Sequence, residues 1–166
     1  MEVVLYIDGA AMGNPGPAGI GLVVRQGDRV LYEDGRYIGE MTNNMAEYRA
    51  LIAGLKEALK LGADKVRVYS DSQLVVYQMQ GRYGVKSPHL APLYECAREL
   101  AGRFAHFDIF CVDRSQIREA DRLAHRAVLL HRAKVGIEGN SGEAGRMAAS
   151  ADAGEESPGS TGQDAG

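Results

Sequence analysis

Cysteine is scarce in this 166-residue chain: Cys96 and Cys111 are the only two. No second CxxC and no Cys/His partner stands at ligand spacing, which argues against a zinc site or a redox pair. Both cysteines are expected to be small buried apolar residues. No run of about 18 or more apolar residues occurs, so a membrane-spanning helix is excluded. The start, Met1-Glu2-Val3-Val4, lacks the basic segment and apolar stretch of a secretory signal. The expected location is therefore the cytoplasm, with no membrane partner. No internal repeat is visible, and nothing suggests an added interaction helix, so a monomer is expected.

Charge of one sign is also missing until the chain is divided. The net charge is −3. From Gly136 onward six acids (Glu138, Glu143, Asp152, Glu155, Glu156 and Asp164) face one base, Arg146. Residues 1–135 therefore carry +2. A modest basic excess permits contact with a phosphate backbone without establishing it. Residues 136–166 are rich in Gly, Ala, Ser and acids, with no apolar periodicity. Such a segment cannot bury enough surface to offset its ordering entropy, and disorder is expected there. It is either a plain tail or a linker. Residues 1–135 form the one expected folded domain.

That body reads as mixed α/β. Residues 3–7 are an apolar strand stopping at Asp8, and a Gly- and Pro-rich turn follows at 13–17. Residues 19–25 and 29–38 look like two strands joined at Gly27-Asp28. Thr42-Asn43-Asn44 offers N-caps for a helix whose Ala50, Leu51, Leu55, Ala58 and Leu59 recur at helical spacing. Gly62 is its natural stop. A fourth strand at 66–70 ends at Asp71. A helix through Leu74, Val75 and Gln78 then stops near Gly81. Another spans about 92–104 beyond Pro88, a fifth strand covers 107–112, and a last helix runs from about Glu119 to His131. The expected order is βββαβααβα.

Three acids sit where core packing alone does not explain them. Asp8 and Asp71 each end an apolar strand, where a parallel sheet presents groups to its carboxyl-end crevice. Glu47 is expected in the first turn of its helix, one turn before Leu51 and hence toward the buried face. Asp121 is placed in the first turn of the last helix, which packs through Leu123, Ala124, Ala127 and Val128. Taken singly, each reads better as a cap or a solvated strand end, and Asp121 as an ordinary helix-dipole carboxylate. Asp71 before Ser72 reads just as well as the cap of the next helix.

Their local sequences are more specific. IDGAAMGNPGPAGIG at 7–21, TNNMAEYRAL at 42–51, SDSQLV at 70–75 and READRLA at 118–124 follow one another in this order. This resembles the ribonuclease H type 1 family, including the ribonuclease H domains of reverse transcriptases. The resemblance covers about residues 2–132. It implies an α/β ribonuclease H-like fold: a five-stranded mixed sheet, second strand antiparallel, flanked by helices. It also implies that Asp8, Glu47, Asp71 and Asp121 hold two Mg²⁺ ions, with Mn²⁺ as a substitute. The implied reaction hydrolyses the RNA strand of RNA/DNA hybrids, leaving 5′-phosphate and 3′-hydroxyl ends. The residue types suit it, because Mg²⁺ is hard and prefers oxygen ligands. Clustered carboxylates repel one another and make poor structural design without a metal.

The resemblance further assigns substrate contacts. Asn14, Asn43, Asn44 and Gln73 match amides that meet the minor groove of the hybrid, where an amide can both donate and accept. Gly9 and Ala10 are small enough for RNA sugars to approach. Arg25 and Thr42 match positions that hold a DNA-strand phosphate. From the residues alone, Asn14 and Asn43 are equally turn or cap residues, and Arg25 is equally an exposed strand charge.

Two departures stand out. Many members carry a histidine in the loop before the fourth acid, whereas residues 113–120 here have none, and none of His89, His106, His125 and His131 matches. Arg114 or Arg118 is a candidate for moving the leaving phosphate. Some members have a basic protrusion with tryptophans, but this chain has no Trp, and residues 79–90 offer only Arg82 and Lys86. Weaker hybrid binding, or relaxed cutting of double-stranded RNA, is the corresponding expectation. The rival readings are a non-catalytic nucleic-acid-binding module, a fold-level relative such as an integrase, transposase or actin-like ATPase, and the nuclease half of a larger enzyme.

Overall fold

The computed structural model describes residues 1–138. Its elements run β1 (Glu2–Ala11), β2 (Gly16–Gln26), β3 (Arg29–Met41), α1 (Asn43–Lys60), β4 (Lys65–Ser70), α2 (Gln73–Met79), α3 (Ala91–Ala101), β5 (His106–Cys111) and α4 (Arg118–Glu138), with a 3₁₀ turn at Arg114–Ile117 before α4. The expected order is recovered. The last helix runs on through Gly136 to Glu138, past the expected boundary at 135. The disorder expected of the tail otherwise concerns residues outside those described. Among the described residues no helix is long and apolar enough to cross a membrane.

The sheet order is β3-β2-β1-β4-β5. β1 pairs antiparallel with β2 and parallel with β4, and β4 pairs parallel with β5. The two-residue period of β1 sends Val3, Leu5 and Ile7 to one face, where all three are fully buried. α1 covers that face, and Gly54 lets it approach Leu5 and Ile7. Each such aliphatic side chain contributes about 1.5–3 kcal/mol through burial. Tyr48 of α1 and Gln78 of α2 are also fully buried. The Tyr48 hydroxyl donates to Gln78 Oε1 at 2.6 Å, and Gln78 Nε2 donates to the Gly84 carbonyl at 3.1 Å. A buried amide left unpaired would cost about 1–3 kcal/mol, so this pairing makes Gln78 tolerable in the core.

Thr42 caps α1, its hydroxyl accepting from Met45 N at 3.2 Å. At the other end Gly62 takes φ +89°, with Gly62 N donating to the Leu59 carbonyl and Ala63 N to that of Ala58. This left-handed stop is the one the glycine implied. Cys96 and Cys111 are free and half-buried against the core, rather than fully buried as expected.

On the opposite face α4 lies across β2 and β3. A Cβ on Gly21 would overlap the Ala120 main-chain oxygen, and one on Gly35 would meet the Leu123 oxygen at 2.5 Å. These glycines let the helix backbone rest on the sheet, bringing its first turn against β1.

Candidate active site

The parallel register of β1 with β4 explains the first two acids. Tyr6 stands beside Tyr69, so two residues further along Asp8 comes level with Asp71. Asp8 does not end its strand as expected. β1 continues to Ala11 in its pairing with β2, which places Asp8 opposite Gly21. What ends near Asp8 is the pairing with β4, and the crevice opens there. Asp71 follows β4 directly, but it is not the cap of α2. Ser72 is the cap, its hydroxyl accepting from Val75 N at 3.3 Å, while Ser70 Oγ accepts from Ser72 N at 3.0 Å.

Glu47 comes from α1. The helix begins at Asn43, so Glu47 lies just beyond the first turn in which it was expected. Gly9 N donates to Glu47 Oε1 at 3.1 Å. A Cβ on Gly9 would overlap Ala46 and the Glu47 nitrogen. The glycine is thus required by the close approach of β1 and α1, whatever else approaches it. Asp121 is in the first turn of α4 as expected, next to the Ala120 that sits on Gly21.

The four acids meet. Ligand atoms of Asp8, Glu47 and Asp71 lie within 4.8 Å of one another, as do those of Asp8, Asp121 and His125. Asp8 is only 4% exposed. Its carboxyl is pushed up to about 8, first by burial, then by the hydrogen bond with Asp121 and the charges of Asp71 and Asp121. Burial likewise holds Glu47 well above the usual carboxylate range, reinforced by Asp8 and Asp71 and opposed by the Gly9 N–H and Arg114. Arg114 Nε stands 3.4 Å from Asp71 Oδ2, but its side chain is 72% exposed, so solvent screens that pair. Oxygen donors crowded at such cost, with one acid common to two groups, fit a pair of hard divalent cations.

The cleft over these groups has a volume of about 380 Å³ and is lined by Gly9, Ala10, Asn43, Asn44 and Ser72 as well as the acids. Asn44 also lines an adjoining depression with Gln73 and Arg114. Asn43 and Asn14 are part of the scaffold: Ala11 N donates to Asn43 Oδ1 at 2.8 Å, and Asn43 N to Asn14 Oδ1 at 3.0 Å. Arg25 does not join this group. It pairs with Val4 near the far end of β2, whereas Thr42 adjoins Met41, which pairs with Gly16 at the near end. At about 3.3 Å per residue the two are roughly 30 Å apart, too far to share a phosphate.

His125 is the residue sequence reasoning missed. The histidine that many family members carry belongs to the loop upstream of Asp121. This one stands four residues downstream, where a helix brings two side chains together. That spacing was the available signal.

The chain matches the family described as "Reverse transcriptase-like" over residues 6–127. A bifunctional protein of Mycobacterium tuberculosis is 51% identical over 130 residues, 77% of this chain and 36% of that protein. This chain therefore spans little more than a third of that relative's length. The solved N-terminal ribonuclease H domain of the same protein, fused to maltose-binding protein, is 49% identical, with a TM-score of 0.75 over 77% of this chain and 99% of that one. Ribonuclease H1 of Halobacterium salinarum is 43% identical, with a TM-score of 0.75 over 76% and 97% of the two chains. A ribonuclease H1 isolated from compost, solved in complex with RNA/DNA hybrid, is 38% identical, with a TM-score of 0.72 over 76% and 96%.

Proposed function

The chain belongs to the ribonuclease H type 1 family, and from that premise we propose that it is an endonuclease cutting the RNA strand of RNA/DNA hybrids. The observation that carries this reading is the pair of ligand groups sharing Asp8. When bound, two Mg²⁺ ions, or Mn²⁺ in their place, supply water activation and neutralise charge on the phosphate and the leaving 3′-oxygen. Asp8 would belong to both ligand sets, with Glu47 and Asp71 on one side and Asp121 on the other. Their repulsion in the free protein is what cation binding would relieve.

The remaining residues position the substrate. The small side chain of Ala10 and the backbone at Gly9 leave room beside the acids for a ribose. Asn44 and Gln73 extend along the adjoining depression, with amides able to meet 2′-hydroxyls and base edges. Asn14 and Asn43 hold the β1–α1 junction in place, so their part is to fix the groove's shape. Arg114 overhangs Asp71 from an exposed position, where its guanidinium can meet the product's 5′-phosphate. Only a short loop separates α2 from α3 at residues 80–90, with no basic protrusion. All four acids come from one chain, which supports a monomer as the working unit.

The test incubates end-labelled RNA, as hybrid, duplex and single strand, with Mg²⁺ or Mn²⁺, beside Asp71→Asn. Metal-dependent cutting of hybrid RNA that the substitution abolishes is the expected result. Cutting of the RNA duplex as well would mark the relaxed version. Tight hybrid binding without cutting under either metal would overturn catalysis and leave a binding module.

A further inference from the structure

The two halves of the acid cluster differ in chemistry. On one side Asp8, Glu47 and Asp71 offer only oxygen. On the other, Asp8 and Asp121 are joined by an imidazole. His125 Nδ1 lies 2.9 Å from the Asp121 main-chain oxygen and 3.2 Å from Asp121 Oδ1. Both neighbours are acceptors, so in the neutral ring the proton sits on Nδ1 and the lone pair on Nε2. Histidines that bind metals are commonly held this way, one ring nitrogen donating to a carbonyl or carboxylate while the other carries the ligand lone pair. A half-exposed histidine four residues after an aspartate is also an ordinary helix-surface pair. Two observations set this one apart. A ligand atom of its ring lies within 4.8 Å of the buried Asp8 as well as of Asp121. The ring also forms part of the wall of the cleft that holds all four acids.

We propose that His125 supplies a nitrogen ligand to the cation held between Asp8 and Asp121, giving the two metal positions different preferences. The inference rests on the reading of the cluster as a two-cation site. An all-oxygen site suits Mg²⁺, which is hard and parts reluctantly with its waters. Adding imidazole favours a transition metal over Mg²⁺. The Asp8–Asp121–His125 position would therefore prefer Mn²⁺ to Mg²⁺, and the Asp8–Glu47–Asp71 position would accept Mg²⁺. The packing makes this specific: Gly21 lets the first turn of α4 rest on the sheet, and the second turn then carries His125 over the same opening.

The experiment uses the full chain without nucleic acid. Mn²⁺ and Mg²⁺ binding are measured by titration calorimetry for the parent, His125→Ala and His125→Asn, and pulsed EPR of the Mn²⁺-loaded parent looks for ¹⁴N coupling. The expected result is a directly bound nitrogen in the parent, absent from both variants. Mn²⁺ affinity at one site should fall about tenfold, with Mg²⁺ affinity changing less than about twofold. His125 is half-exposed, so the variants should fold, and far-ultraviolet circular dichroism verifies it. Mn²⁺ binding with no ¹⁴N coupling, or an equal loss for both metals, overturns the ligand role and leaves the cation site intact. No binding of either metal by the parent overturns the site reading along with it.

Discussion

The two faces of the β1–β2 ladder are built on opposite plans. Toward α1 the sheet presents Val3, Leu5, Ile7, Ile20, Leu22 and Val24, nearly all fully buried. Side chains interdigitate there, and stability comes from hydrocarbon removed from water. Toward α4 the same strands present Gly19, Gly21 and Asp8, and the helix meets the sheet through backbone atoms. One face is filled, and the other is emptied to seat a buried carboxylate against two more elements. Clustered acids cost stability, and the hydrocarbon face is what makes that cost bearable.

The largest effect should come from Asp8→Asn, which strikes the face built for chemistry. Activity on hybrid is expected to fall below about a thousandth, a barrier increase of about 4 kcal/mol, because Asp8 belongs to both ligand groups. Stability should move the other way. The Asp8 carboxyl titrates near 8 in the folded protein against 3.8 ordinarily. A raised acid gives stability that is present at low pH and lost as pH rises from about 4 through about 8. The metal-free substituted protein should therefore melt higher than its parent at pH 8, with the gap closing toward pH 4. Saturating divalent cation should remove the parent's deficit. Melting curves across that range, with and without metal, decide the matter. A parent more stable than the variant at pH 8 without metal would sink the argument.

Much of this division was legible in the residues. The apolar run at 3–7, the helical spacing after the caps at Thr42 and the stop at Gly62 marked the filled face, because periodicity and capping are local. Four acids in ordered motifs marked the other. What escaped depended on neighbours remote in sequence. Asp8 read as a strand end because the apolar run stops there, but β2 carries the ladder three residues further. Gly9 read as room for a substrate, yet the main chain of α1 already occupies that side. His125 escaped because the family's histidine belongs to the loop, and only the seating of α4 shows which way its second turn faces.

Substituting a glycine on each face sharpens the comparison at intermediate size. A Cβ at Gly21 would overlap the main-chain oxygen of Ala120, which cannot move without α4. Gly21→Ala is expected to cost about 1–3 kcal/mol and to lower activity disproportionately, since Asp121 is the next residue. A Cβ at Gly54 meets the ends of the Leu5 side chain at 2.7 and 2.9 Å, and those can turn aside. Ala is also the better helix former by about 1 kcal/mol, so Gly54→Ala should stay within about 1 kcal/mol of the parent with activity retained. Chemical denaturation paired with hybrid cleavage measures both. Equal losses of activity in the two variants would show that the faces are not functionally distinct.

The smallest effect is expected at Arg25, where resemblance and geometry pull apart. The matching family position holds a phosphate together with the threonine at 42. Here the guanidinium donates to the Asp28 carbonyl, at 3.5 Å, by the turn at the far end of β2. Three residues of β1 lie between its partner Val4 and Asp8. A phosphate contact contributes about one unit to the slope of log affinity against log salt, and its removal lowers that slope by about 1. Arg25→Ala should leave the slope unchanged and shift hybrid affinity less than about twofold, with stability within about 0.5 kcal/mol. A slope lowered by a full unit would place nucleic acid across the far end of β2. The hybrid would then run over the α4 face well beyond the acids, and the emptied face would serve binding along its whole length rather than only at the cleft.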